Sequence, residues 1–355
     1  MIKKEICERV LTIGPSWINP KGGIAQVLNT YAKTLYQPFN FVVTTKGGNF
    51  PKVLLQFLIA ICVFFAKILH KNCKIVHIHS ASYKSFYRKQ VFIYIAKALG
   101  KKVVLHIHGA ELKNFADIHH KRVRRTLAKC DTIIVLSQSW KDWFEQEFKH
   151  PNIIVIKNVI DVPVKKQKTL IDTNHRFSLL FLGILGQRKG IYDLLEVINK
   201  YKCEFEGKLL LIIGGNGEVE SVIDYIRKNS LENIVHYKGW VSGTEKIKLF
   251  NSVDSLILPS YNEGLPISII EAMSYGLPII STPVGGIPEI VSNGENGLLV
   301  KPGNQEELYQ AIRLLMDDAR LLENMGRVSK QKAKGHLPEN VGKELCLMYE
   351  QLLNN

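Results

Sequence analysis

Short apolar runs rich in β-branched residues alternate with helix-patterned stretches along this chain, and the alternation runs through twice. In the first round, residues 75–79, 103–108, 133–137 and 153–156 read as buried strands, with helices over 89–99 and 122–129. In the second, strands are expected over 178–182, 208–214, 234–237, 255–258 and 278–281, with helices over 192–200 and 218–228. Parallel strands need crossover connections, and helices supply them while covering both faces of the sheet. Two rounds therefore predict two α/β domains, and 355 residues are enough for each to bury its own core. The polar stretch 161–175 contains Pro163 and has no periodicity, so it reads as the connection. The expected division is a first domain over 1–163, a linker over 164–173 and a second domain over 174–330. A helical tail over 331–355 can pack back on the first.

Charge divides along the same line. Residues 1–168 hold 28 Lys and Arg against 9 Asp and Glu, whereas 169–355 hold 19 against 23. A basic excess confined to one half implies an anionic partner there, either a membrane surface or a phosphorylated acceptor. No nucleic-acid recognition motif accompanies it, so nucleic acid is not expected. The run Lys121-Arg122-Val123-Arg124-Arg125 and the base-rich stretch 84–102 carry much of the excess. The segment 53–69, VLLQFLIAICVFFAKIL, is the most apolar in the chain. It reads first as a buried helix of the first domain, and second as a helix lying in a membrane interface. Six scattered cysteines with no Cys-x-x-Cys pair fit neither a disulfide framework nor a structural zinc site. No signal-peptide pattern is read at the N-terminus, and a cytoplasmic location is expected, with peripheral attachment to the inner face of the cell membrane.

The densest chemical signal is residues 262–291, NEGLPISIIEAMSYGLPIISTPVGGIPEIV. Pro266 suits a first helical position and Gly276 the residue just past a helix end. Between them the helix is apolar apart from Ser268, Glu271 and Ser274. A carboxylate on so apolar a helix needs hydrogen-bond donors, and vicinal ribose hydroxyls would supply two. Glu263 precedes the helix N-terminus, where backbone N–H groups address a ligand. Upstream, residues 181–190, FLGILGQRKG, run from a strand into a glycine loop ending in Arg188 and Lys189. Two cations there suit an anionic group of a ligand.

Glu263 and Glu271, with seven residues between them, and the flanking EGLP, EAMSYGLPII and VGGIPEIV resemble glycosyltransferase family 4. That resemblance implies the GT-B fold, two Rossmann-like α/β domains facing each other across a cleft. It implies a retaining, metal-independent hexosyltransferase that takes its sugar from a UDP- or GDP-linked donor, with no cofactor. The acceptor would be a glycan or a lipid-linked glycan, as in assembly of cell-surface polysaccharide, lipopolysaccharide or glycolipid. Front-face attack would retain the anomeric configuration. A nucleotide-sugar epimerase of the same fold, and a non-catalytic nucleotide-sugar-binding protein, are the alternatives.

Residue by residue, the resemblance implies that Arg188 and Lys189 hold the diphosphate and Glu271 the ribose. Glu263 and the backbone of Gly264, Leu265 and Pro266 address the sugar. Gly215, in IIGGNGE, lies beside the nucleotide, and Trp240 and Val241, in YKGWV, frame the base. Gly22 and Gly23 face the donor phosphates. His108 supports the sugar or its transition-state charge, with His79 a weaker candidate. The sequence departs from the family at Ile184, where the glycine loop usually has Arg, and Arg188 is the natural substitute. Two His-x-His pairs, His77/His79 and His106/His108, each point to one face of a strand. No carboxylate or cysteine shares their spacing, so no metal site is expected.

Overall fold

The computed structural model describes residues 1–20, 22–164 and 176–354, so all but the first residue of the expected linker lies outside the described residues. The chain divides into two compact units. Unit 1 comprises Met1–Asp161 with Gly335–Asn355, and unit 2 comprises Val162–Lys334.

Unit 1 runs α1 (Lys4–Cys7), β1 (Val10–Pro15), α2 (Gly23–Thr30), β2 (Phe41–Thr45), α3 (Phe50–Ile68), β3 (Ile75–Ser80), α4 (Lys84–Ala98), β4 (Lys102–Ile107), α5 (Leu112–Leu127), β5 (Thr132–Val135), α6 (Gln138–Phe148) and β6 (Ile153–Val155). Its six strands are parallel, in the order β2-β1-β3-β4-β5-β6. The helix expected over 122–129 is the last part of the longer α5. Ser137 ends the strand region before α6 and caps that helix, its hydroxyl accepting from the Trp140 N–H at 3.4 Å.

Unit 2 runs β7 (Phe177–Leu182), α7 (Ile191–Lys200), α8 (Lys202–Phe205), β8 (Leu209–Gly214), α9 (Val219–Lys228), β9 (Val235–Tyr237), α10 (Gly243–Ser252), β10 (Ser255–Leu258), α11 (Ile267–Ser274), β11 (Ile279–Ser281), α12 (Ile287–Ile290), β12 (Gly297–Leu299), α13 (Gln305–Asp317) and α14 (Ala319–Ala333). These strands are also parallel, in the order β12-β11-β10-β7-β8-β9. The final helix, α15 (Pro338–Asn354), belongs to unit 1. Its Tyr349 is buried there and shares a 2.6 Å hydrogen bond between hydroxyls with Tyr36.

The segment 53–69 corrects the first expectation, which was burial. It forms α3, and only Ala60, Phe64 and Ile68 on it are fully buried. The reason is topological. β2 is an edge strand, and α3 follows it at the edge of the sheet, so packing reaches one face of the helix only. The inner seam joins the core formed with Phe92 of α4, whose ring lies 5.0 Å from that of Phe64, edge to face. The outer face carries Leu54, Leu55, Leu58, Ile59, Val63 and Phe65, all exposed.

Candidate active site

Each sheet reverses its strand order once. In unit 2 the chain steps from β7 outward to β8 and β9, then crosses back to β10 on the other side of β7. Loops leaving the carboxyl ends of β7 and β10 therefore diverge over a crevice, the place where open α/β sheets bind ligands. The first of these loops carries Arg188 and Lys189, and the second carries Glu263.

The two loops are tied together. The Tyr261 N–H donates to the Arg188 carbonyl at 2.9 Å. The Arg188 guanidinium donates in return to the Asn262 carbonyl at 2.8 Å. Lys189 forms a salt bridge with Glu263, and Ser260 donates to the same carboxylate oxygen at 2.8 Å. Glu263 is only 5% exposed, and these donors satisfy a carboxylate that burial takes away from water. Close backbone packing holds this geometry. A Cβ on Gly190, at φ +70°, would stand 2.0 Å from the Pro259 carbonyl oxygen, and one on Gly285, at φ +58°, 1.8 Å from that of Glu263. The Gly286 N–H then fixes the Gly264 carbonyl at 2.7 Å. Gly264, Leu265 and Pro266 are buried in this turn. Pro266 occupies the N-cap in extended backbone, one position before the first helical residue expected for it, because the turn is pinned as far as Gly264.

Glu271 projects from α11 and is 9% exposed. Its Oε1 accepts from the Lys246 ammonium of α10 at 2.6 Å. The donor that burial demands is thus supplied in part by the protein. Sequence reasoning missed Lys246, as it missed Ser260, because neither belongs to a spaced motif. Glycine turns after β8 and β9 complete the same edge. The Gly215 N–H donates to the Gly239 carbonyl at 2.8 Å, and the Tyr237 hydroxyl to the Gly215 carbonyl at 2.9 Å. Trp240 is partly exposed beyond this contact and Val241 is buried. Ile184 is exposed in the loop after β7.

In unit 1 the order reverses between β1 and β3. Gly22, at φ +109°, is the N-cap of α2 after β1, and Gly23 begins that helix. His77 and His79 of β3 lie beside His106 and His108 at β4, and the four rings stack in succession, His79 over His108 at 5.1 Å. His79 Nδ1 and His108 Nε2 share a hydrogen bond at 2.9 Å, and His77 Nε2 and His106 Nδ1 one at 3.3 Å. Tyr349 closes the ladder at His77. Burial, the largest cause in each case, holds His77 and His108 down to about 3, and His79 and His106 well below the ordinary range. His108 is therefore a neutral imidazole near pH 7, able to give or take a hydrogen bond but not to act as a cation. Its other interaction is with the Asn158 side chain. Ring nitrogens of His77, His79 and His106 lie within 4.8 Å of one another, and no carboxylate or thiol among the described residues joins them.

Residues 161–332 match the family model described as Glycosyl transferases group 1, and residues 29–163 match Glycosyltransferase Family 4. This chain is a glycosyltransferase of the GT-B type. It is 26% identical to N-acetyl-alpha-D-glucosaminyl L-malate synthase of Bacillus anthracis, over 86% of this chain and 77% of that one. It is 30% identical to N,N'-diacetylbacillosaminyl-diphospho-undecaprenol alpha-1,3-N-acetylgalactosaminyltransferase of Campylobacter jejuni, over 47% of this chain and 43% of that protein. Its fold superposes on HepE of Anabaena, solved with UDP and glucose, with a TM-score of 0.73 at 19% identity, covering 96% of this chain and 99% of the other.

Proposed function

We propose that this glycosyltransferase moves a hexose or N-acetylhexosamine from a UDP- or GDP-linked sugar to a glycan or lipid-linked acceptor, with retention and without a metal ion or cofactor. The observation that carries the reading is the pair of carboxylate–ammonium contacts, Lys189–Glu263 and Lys246–Glu271, at the carboxyl edge of the unit 2 sheet. Arg188 and Lys189 take the diphosphate. An ammonium has three N–H donors, so holding Glu263 with one is compatible with binding phosphate oxygens with the others. Glu271 takes the ribose, Gly215, Trp240 and Val241 border the nucleotide, and Glu263 with the 264–266 backbone addresses the sugar.

The bond from the anomeric carbon to the diphosphate breaks while the acceptor oxygen bonds to the same face. The acceptor proton passes to the departing phosphate oxygen. Charge gathers on that leaving group, where fixed cations lower the barrier most. His108 contributes a neutral hydrogen bond to the sugar. A membrane-borne acceptor, met at the cytoplasmic face of the cell membrane, fits the basic half of the chain and the lipid-linked name of the Campylobacter relative.

A panel of UDP- and GDP-sugars, scored by mass spectrometry for donor cleavage, tests this. Turnover is expected to persist in EDTA. Complete loss in EDTA, restored by manganese, would reject the metal-independent site. Conversion of the donor to an epimer without acceptor would favour the epimerase.

A further inference from the structure

α3 has its polarity reversed. On a helix at the surface of a globular protein, polar residues face water and apolar residues face the core. Between Val53 and Ala66 α3 has no charged residue, and its single amide, Gln56, faces inward, donating to the Val43 carbonyl at 2.9 Å. The outward positions hold Leu54, Leu55, Leu58, Ile59, Cys62, Val63 and Ala66, spaced to form one continuous stripe. Leu55 and Leu58 are 61% and 53% exposed, and Phe50 at the entrance is 76% exposed. The helix is long and apolar enough to cross a membrane, yet only 17% of its most apolar window is buried. An apolar stripe of this size on a single helix marks a surface built to be covered.

The surroundings say by what. Residues 9–110 contain 14 Lys and Arg and no Asp or Glu. Lys46 and Lys52 stand exposed near the start of α3, and Lys67, Lys71 and Lys74 near its end. Lys67 also donates to the Phe41 carbonyl at 3.1 Å, which fixes its stem beside the stripe. α4 packs on α3 through Phe57 and Phe92, and presents Tyr83, Val91 and Tyr94 outward. α5 packs on α4 through Arg122 and Gln90 at 2.7 Å, and exposes Lys121, Arg124 and Arg125. An apolar stripe bordered by lysines and tyrosines, with no Asp or Glu in residues 9–110, matches an anionic lipid interface, which accepts apolar side chains between headgroups and attracts cations. A second copy of this chain would bring like charges together along the whole border, and a neutral apolar protein face would leave the lysines unpaired. The inner seam at Ala60, Phe64 and Ile68 stays packed in unit 1, so the helix lies in the plane of the membrane rather than across it.

We infer that α3 is an in-plane membrane-docking helix, inserting Leu54, Leu55, Leu58, Ile59 and Val63 among the acyl chains of an anionic leaflet while flanking lysines engage its headgroups. The inference rests on the reading that the acceptor is membrane-borne and names the element that brings the enzyme to it.

The test is sedimentation of the full chain with sucrose-loaded vesicles, of phosphatidylcholine alone or with phosphatidylglycerol, at low and high salt. Binding is expected with the anionic vesicles only, and it weakens with salt. The variant Leu55→Glu/Leu58→Glu is expected to bind at least about tenfold more weakly, because two charges replace two inserted side chains. Arg124→Gln, which removes one charge at the border, is expected to lose less, about fivefold. Both changes are on exposed positions, and nucleotide binding measured on the same samples reports the donor site separately. Wild-type binding that the Leu55/Leu58 variant retains in full, or no binding to either vesicle, would overturn the assignment. So would a wild-type dimer that the same variant converts to monomer in analytical ultracentrifugation. Loss of nucleotide binding by wild type would instead count against the transferase site and leave the vesicle result to stand.

Discussion

The two units have similar parallel sheets and treat ionisable groups inside them in opposite ways. Unit 2 buries Glu263 and Glu271 and gives each an ammonium partner, the donor a buried carboxylate needs. Unit 1 buries His77, His79, His106 and His336 together with Lys89, whose only acceptor contact among the described residues is the Thr44 hydroxyl. Burial lowers Lys89 to about 7 and His336 to about 4. Unit 1 thus holds neutral imidazoles and a lysine shifted to about 7 inside, and exposes cations on α3 and α5. Unit 2 keeps two carboxylate–ammonium pairs inside. The difference teaches that one architecture can give a charged pocket in one half and a neutral polar pocket with a cationic surface in the other.

The largest expected effect follows from the imidazoles. In the unfolded chain a histidine takes its proton near pH 6.5. In the folded unit His77 and His108 resist to about 3, and His336 to about 4. Between those limits the unfolded state binds more protons, so stability is full above about pH 6.5 and falls as pH falls. Each such histidine costs roughly 1.4 kcal/mol per pH unit. Several together approach, by pH 5, the ~5–15 kcal/mol that holds a domain folded. Hydrogen exchange at pH 8 and pH 5 is expected to show β3, β4 and α15 losing protection while β7, β8 and β10 keep theirs. Loss from unit 2 first would break the comparison.

A smaller effect sharpens it. Lys246→Met leaves Glu271 without its ammonium in a largely buried position, and roughly 1–3 kcal/mol of stability should be lost. Lys246→Met with Glu271→Gln removes both charges and should recover about half of that, a coupling that a denaturant-based double-mutant cycle reads directly. Additive losses would mean that the contact carries no charge pairing.

Much of this was legible from the chain. The strands expected from apolar runs are β3–β6 and β7–β11, whereas β2 and β12 were not expected, and the spacing of Glu263 and Glu271 was visible because one turn and one helix carry both. Arg188 and Lys189 were legible as the end of a glycine loop, though their contacts to Asn262 and Glu263 were not. Lys246 was hidden because its partner is 25 residues away on another helix, and no local pattern records that meeting. The placement of α3 was misread for a related reason. Composition gives how apolar a helix is, whereas burial depends on whether neighbours lie on both sides, and an edge strand supplies them on only one. The sequence showed that each His-x-His pair shares a face. It did not show that β3 and β4 are adjacent in register, which sets His79 beside His106 and lets it stack on His108.

The central claim is that unit 2 binds the nucleotide diphosphate through its paired charges, while the neutral imidazoles of unit 1 serve another part of the substrate. Titration calorimetry with UDP and with GDP, in EDTA, on wild type, Glu271→Gln and His108→Ala tests it most directly. One nucleotide is expected to bind wild type and His108→Ala alike, and Glu271→Gln at least about tenfold more weakly, roughly 1.4 kcal/mol. Full affinity in Glu271→Gln together with loss of binding in His108→Ala would contradict the account.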